Sequence, residues 1–171
     1  MSKPSNENYD TAAKTAKTYT YQGEENENIP QDIEILIIKE GVTTIRKNAF
    51  YSRQKLRSIR KFPSSLTVIE ESGFRECSCL VDVPDFPENL TSICKEAFFE
   101  CQSLISLPAF PPSVIYLGNA SFENCESLVE VKSFPINVTV FGKWLFRGCT
   151  SLVLVPPFPI KLKIIGTFKE D

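Results

Sequence analysis

The chain has 171 residues, with 19 Lys+Arg against 21 Asp+Glu, six Cys, twelve Pro, thirteen Phe and no His, enough for one domain with a sizeable core. Without His, every mechanism that needs an imidazole is excluded, among them Ser-His-Asp and Cys-His catalysis and the His-bearing zinc and iron sites. A formal charge of -2 gives no global basic field for nucleic acid, and no apolar run approaches the roughly 18 residues of a membrane span.

Residues 1–17 are mostly Ser, Asn, Thr, Lys and Asp, lack the apolar core of a secretory signal, and are expected to form a mobile polar tail. The cytoplasm is the compartment this implies, with the cell surface as the alternative. In residues 18–41, Thr18-Tyr19-Thr20-Tyr21 alternates polar and aromatic, and Ile33-Glu34-Ile35-Leu36-Ile37-Ile38 is rich in β-branched residues. Both predict strands that cap the first coil of the chain, joined by the acidic connection Gln22 to Asn28.

From Val42 onward one pattern restarts every 24 residues, at Leu66, Leu90, Val114, Val138 and Leu162. Ile45, Ile69, Ile93, Leu117, Phe141 and Ile165 recur in it, followed by Phe50, Phe74, Phe98, Phe122 and Phe146. Leu56, Leu80, Leu104, Leu128 and Leu152 come next, then the inward row Ile59, Val83, Leu107, Val131 and Val155. Phe62-Pro63, Phe86-Pro87, Phe110-Pro111, Phe134-Pro135 and Phe158-Pro159 close each unit, so ten of the thirteen Phe fall in two rows. A unit this short cannot bury a face alone, whereas stacked units place each Phe on its equivalent one coil away. Residues 42–168 therefore read as a repeat solenoid of five full coils and a partial sixth, ending in the polar residues 169–171.

The spacing Cys-x-x-Leu-x-x-Val-x-x-Phe-Pro, then Leu-Thr-x-Ile, then Ala-Phe-x-x-Cys resembles the BspA-like (Treponema-type) leucine-rich repeat; the clearest copy runs from Leu90 to Leu104. The resemblance implies a right-handed leucine-rich-repeat superhelix with short parallel β-strands and little helix, and a role in binding, often adhesion. Two copies depart from it. The first has Arg53 in the slot of Cys77, Cys101, Cys125 and Cys149, and the sixth stops after Ile164-Ile165-Gly166-Thr167-Phe168. Both lie at the ends of the array, where capping repeats are atypical.

The row Cys77, Cys101, Cys125 and Cys149 invites a metal reading, but a line of thiols does not converge on a tetrahedron, and a core-packing role is expected, with no cofactor. Cys79 and Cys94 lie off the row and are expected to be the exposed thiols. Asn89, Asn119 and Asn137 head glycosylation tripeptides, read as coincidences of turn chemistry. Residues 42–65 carry Arg46, Lys47, Arg53, Lys55, Arg57, Arg60 and Lys61 without an acid, and residues 66–89 carry six acids against Arg75. The first coil is either a landing site for acidic partners or simply neutralised by its neighbour, with Arg46 beside Glu70 and Lys61 beside Asp85.

Alternation along each strand puts Ser58, Asp82, Ser106, Glu130 and Leu154, and then Arg60, Pro84, Pro108, Lys132 and Pro156, on the solvent side of the sheet. Because Pro cannot donate to a ladder, the sheet should be narrow. Val81, Ile105, Val129 and Val153 either form an exposed apolar stripe or pack inward at the strand edge. The chain is thus expected to be a non-enzymatic protein-protein interaction module or, in the alternative, a cell-surface adhesin-like domain. Its expected partner-binding residues are Arg57, Arg60, Lys61, Asp82, Ser106, Glu130, Lys132 and Leu154. It is expected to be a monomer, with a weak end-to-end dimer as the alternative, binding a protein partner and no nucleic acid.

Overall fold

The structure is a computed structural model and describes residues 16–165; the expected tail and the polar C-terminal end lie almost wholly outside them. Eleven short strands run in chain order: β1 Thr18–Tyr21, β2 Ile35–Ile38, β3 Thr44–Ile45, β4 Ser58–Ile59, β5 Val68–Ile69, β6 Ser92–Ile93, β7 Ser106–Leu107, β8 Tyr116–Leu117, β9 Glu130–Val131, β10 Val140–Phe141 and β11 Ile164–Ile165. No helix forms among the described residues.

All strand pairs are parallel, and the register repeats the sequence period. One ladder stacks β3, β5, β6, β8, β10 and β11, with Ile45 opposite Ile69, Ile69 opposite Ile93 and Ile93 opposite Leu117. The other begins with β1 on β2 and β2 on β4. It then continues through single bridges from Ser58 to Asp82 and Asp82 to Ser106, through β7 on β9, and from Glu130 to Leu154. Pro84, Pro108 and Pro156 follow the inward residue directly and have no N–H to extend the pairing of this ladder, while the other ladder is equally narrow without proline, its two-residue strands being followed by Arg46, Glu70, Cys94, Gly118 and Gly142. The chain is a parallel β-solenoid, as the 24-residue period requires.

The core lies between the two ladders. Phe50, Phe74, Phe98, Phe122 and Phe146 are fully buried and stack with centroids 5.0 to 5.5 Å apart, their rings within 7 to 11° of parallel. The Phe-Pro row makes a second stack, Phe62 on Phe86 at 5.8 Å and Phe86 on Phe110 at 5.1 Å. It meets the first edge-on, with Phe62 6.4 Å from Phe74 and Phe110 6.1 Å from Phe122. Burying one such ring stabilises the fold by about 1.5–3 kcal/mol. At the N-terminal end Tyr21, on β1, covers Phe50 edge-on at 5.1 Å, and its hydroxyl accepts from the Arg46 N–H. The acidic connection serves this cap, because the Glu27 carboxylate accepts from the Tyr19 hydroxyl and from the backbone N–H groups of Gln22, Gly23 and Glu24. At the other end the core expectation fails for two residues: Val155 and Phe158 are 41% and 48% exposed, on the final coil of the stack.

A third set of bonds joins the coils at the Phe turns. The N–H groups of Ser72, Phe74 and Glu76 donate to the carbonyls of Lys95, Ala97 and Phe99, and Glu96, Phe98 and Glu100 donate in the same way one coil on. These bonds hold two residues per coil in the left-handed region. One row is Asn48, Ser72, Glu96, Ala120 and Trp144, and the other is Ser52, Glu76, Glu100 and Asn124, all at φ 55 to 59°, completed by Gly148. A non-glycine residue there costs about 1–2 kcal/mol, which each inter-coil bond, at about 0.5–1.5 kcal/mol, offsets.

Candidate binding surface

The structure decides between the two placements of the apolar row. Val81, Ile105, Val129 and Val153 are on the surface, 40, 50, 37 and 73% exposed, one above the other. Their backbones are already committed: Val81 N–H donates to the Arg57 carbonyl, and Ile105, Val129 and Val153 each donate to the residue one rung before. Up to the Val153 carbonyl of its last rung, the stripe therefore offers side chains alone. Beside it runs the row Ser58, Asp82, Ser106, Glu130 and Leu154, in which Asp82 and Leu154 are exposed and Ser106 and Glu130 half-buried. Lys132 and Arg60 are exposed one row further out, whereas Pro108 in that row is buried, contrary to expectation. Of the residues expected from the sequence, Glu130, Lys132 and Leu154 come together at a shallow depression of about 270 Å³, completed by Val153 and Val155.

The basic first coil is neutralised from both sides. Arg57 pairs with Glu34 at 3.0 Å and Lys61 with Glu40, both acids coming from the preceding segment, while Lys47 pairs with Glu71 at 3.0 Å. The register does set Arg46 beside Glu70, but Arg46 donates to the Gly23 carbonyl and Glu70 accepts from the Lys47 N–H. Lys61 turns to Glu40 instead of Asp85. Side chains of Arg57 and Lys61 remain two-thirds exposed, so these pairs contribute little, about 0–1 kcal/mol, and exchange readily. Among the described residues, neither Asp82 nor Glu130 has a cation within ion-pair distance, and Arg60 has no carboxylate.

The cysteine row is structural. Each thiol is fully buried and donates to a main-chain carbonyl of the preceding coil: Cys77 to Phe50, Cys101 to Phe74, Cys125 to Phe98 and Cys149 to Phe122, at 3.1 to 3.3 Å. Burial pushes the Cys77 thiol up to about 12 and raises Cys101 and Cys125 in the same direction, so they stay protonated. Arg53, in the matching slot of the first coil, does the same work with a guanidinium that donates to the Ile29 and Tyr51 carbonyls. Cys79 is exposed and Cys94 half-buried. The tripeptide asparagines also tie coils together. Asn89 donates to the Ser64 carbonyl, Asn137 to that of Pro112, and Asn119 accepts from the Lys143 N–H. Among the described residues no three His, Cys, Asp or Glu side chains are placed to hold a metal ion.

A second surface was not anticipated. On the Phe turns, Arg75 lies over the Phe99 ring at 4.4 Å and bonds Glu76 and Glu96, and Arg147 lies 5.6 Å from the Trp144 centroid and 3.5 Å from buried Glu123. Burial pushes the Glu123 carboxyl up, against the pull of Arg147. The signal was available in the period, since Tyr51, Arg75, Phe99, Glu123 and Arg147 are spaced by 24.

Parallel two-residue strands, aromatic ladders and an uninterrupted 24-residue register define a leucine-rich-repeat scaffold. The BspA type leucine rich repeat region matches in six copies across residues 27–153, and the chain belongs to that family. A leucine-rich repeat protein of T. pallidum superposes with a TM-score of 0.70 at 24% identity, over 91% of this chain and 71% of its own. One from Bacteroides ovatus superposes at 0.73 and 27% identity, over 87% of this chain and 41% of that one. A leucine rich cell surface protein from Faecalibacterium prausnitzii gives 0.67 and 29%, over 74% of this chain and 33% of that one. No curated protein matches the chain significantly. No helix among the described residues is long and apolar enough to cross a membrane.

Proposed function

We propose that this solenoid is a non-enzymatic protein-protein interaction module that binds through its sheet face and its basic first coil. One observation carries the reading: four apolar side chains stand exposed in register on a rigid surface, flanked by unpaired charges. Nothing in their own fold requires that exposure. The absence of His and the shallow, open surface support a binding role over catalysis. Arg57, Arg60 and Lys61 form the basic edge, and a partner carboxylate displaces the weak pairs with Glu34 and Glu40.

The test is in-cell crosslinking of the full chain with and without Arg57→Glu, Arg60→Glu and Lys61→Glu together. Loss of the crosslinked partner is expected, and unchanged capture refutes the basic edge as part of the site. We place the protein in the cytoplasm. The F. prausnitzii neighbour, a cell surface protein by its description, favours an adhesin-like role outside the cell as the second reading. Removal of a C-terminal tag by protease added to intact cells decides for the second; protection decides for the first.

A further inference from the structure

We infer that the stripe of Val81, Ile105, Val129 and Val153 receives an amphipathic, basic α-helix of about three turns from a protein partner, an inference that rests on the binding reading above. The N–H groups of all four stripe residues and the carbonyls of Val81, Ile105 and Val129 are paired from rung to rung, so an incoming β-strand finds only the Val153 carbonyl of the last rung to bond on the stripe. The occupant must satisfy its own main chain, which is what a helix does.

The spacing agrees. Successive rungs stand about 4.8 Å apart, and a helix laid along the solenoid axis rises about 5.4 Å per turn. Over the three steps from Val81 to Val153 the two differ by only about 2 Å, so apolar residues at i, i+4, i+7 and i+11 stay in phase with the four rungs. An extended segment on the same axis repeats each side chain about every 6.8 Å and loses phase by the second rung. At the C-terminal end, the depression of about 270 Å³ formed by Glu130, Val153, Leu154 and Val155 takes the last apolar side chain of the helix.

Charge fixes the chemistry of the helix flank. Asp82 and Glu130 are two rungs apart on one side of the stripe, about 10 Å, and neither has a cation partner among the described residues. Two basic residues seven positions apart on a helix rise about 10.5 Å on one face and meet both. Of the cations of this face, Arg57 stands one rung before Val81 and is paired with Glu34, and Arg60 and Lys132 stand one row further out.

The probes are three labelled synthetic 15-residue peptides: Leu at helical spacing with flanking Lys, the same composition with alternating Leu, and the helical pattern with Glu in place of Lys. Fluorescence anisotropy is measured against the full chain. The helical Lys peptide is expected to bind at least tenfold more tightly than the other two. Asp82→Lys with Glu130→Lys should weaken it at least tenfold and transfer the preference to the Glu peptide, and Ile105→Asp should abolish binding. Asp82 and Ile105 are exposed and Glu130 is half-buried, and retained cooperative unfolding verifies the fold of each variant. Equal binding of the helical and alternating peptides, a preference unmoved by the charge reversal, or no binding at all overturns the helix. A concentration-dependent mass that Ile105→Asp removes assigns the stripe to a second copy of the chain, and also overturns it. Crosslinked capture that persists and responds to the Arg57, Arg60 and Lys61 reversal leaves the interaction-module reading standing on its own.

Discussion

Phe98→Ala tests whether the solenoid is held by its ring stack or by its backbone ladders. Phe98 is fully buried, with Phe74 at 5.2 Å on one side and Phe122 at 5.4 Å on the other, both nearly parallel. Removing the ring loses its transfer free energy and leaves a cavity between two flat partners, at a cost of about 3–5 kcal/mol. For a chain of this size that lowers Tm by roughly 8–16 °C. Phe158→Ala, at a position 48% exposed, should cost only about 1 kcal/mol. In a stack where each coil contacts only its neighbours, the central substitution also uncouples the two halves. Urea unfolding followed by far-UV circular dichroism reports all coils, and Trp144, the only tryptophan, reports the C-terminal half. The two traces should coincide in the parent chain and separate in Phe98→Ala, with a reduced m-value. Equal costs for Phe98→Ala and Phe158→Ala, or coincident traces in both, would refute the reasoning.

Gly142→Ala should be among the more costly single substitutions, about 2–4 kcal/mol by chemical denaturation, because its Cβ would stand 2.3 Å from the Gly118 carbonyl carbon and 2.4 Å from the Asn119 nitrogen. Gly73→Ala should cost far less than Gly142→Ala, since Ala49 and Ala97 already occupy that slot and the new Cβ would stand 3.2 Å from the Glu70 carbonyl oxygen, Ile45 and Ile69, so that a loss as large as that of Gly142→Ala would count against the packing described. With a thiol reagent at pH 8, Cys79 should react at once and Cys94 slowly, while Cys77, Cys101, Cys125 and Cys149 should appear only after unfolding. The same burial gives alkaline sensitivity. Cys77 ionises near 9 when unfolded and at about 12 when folded, so between these values the folded chain holds the extra proton. Stability is therefore complete below about pH 9 and falls as pH rises toward 12, by about 1.4 kcal/mol per pH unit for each such thiol. Melting temperatures from pH 8 to 11 check it, and Cys77→Ala should flatten the slope.

The inward rows were legible because burial repeats one residue type at one spacing, and the Phe and Leu ladders stand where the period put them. The outer rows were less so. Val81 and Val83 would share a face in a longer strand, but this rung pairs only through single bridges at Asp82 and the turn at 78–79 comes just before Val81, so alternation cannot place it. The left-handed residues carried no signal either. Glu96 has no preference for that conformation, which its bond to the Asn119 carbonyl of the next coil supports. The partners of the basic coil were hidden for a topological reason: β2 pairs with β4 at an offset of 23, and the segment before Val42 thereby brings Glu34 and Glu40 to a coil that contains no acid of its own.

The same register that fixes the core frees the surface. A side chain such as Ile105 stands half exposed on the stripe, while Phe98 and Cys101 of the same coil are fully buried, their places set by the coils above and below. Surface rows can therefore differ rung by rung, Arg57 to Val81 or Ser106 to Glu130, while the inward Phe and Leu rows keep one residue type from Phe50 to Phe146 and from Leu56 to Leu152. On the binding reading proposed above, recognition on such a body is read along the solenoid axis, one residue per coil, because the repeat strands are only two residues long. A partner must then match a spacing near 4.8 Å with its own side chains and supply its own backbone bonds. That double requirement narrows the partner more than the composition of the stripe does, and it is why the separation of Asp82 and Glu130 by two rungs matters as much as their charge.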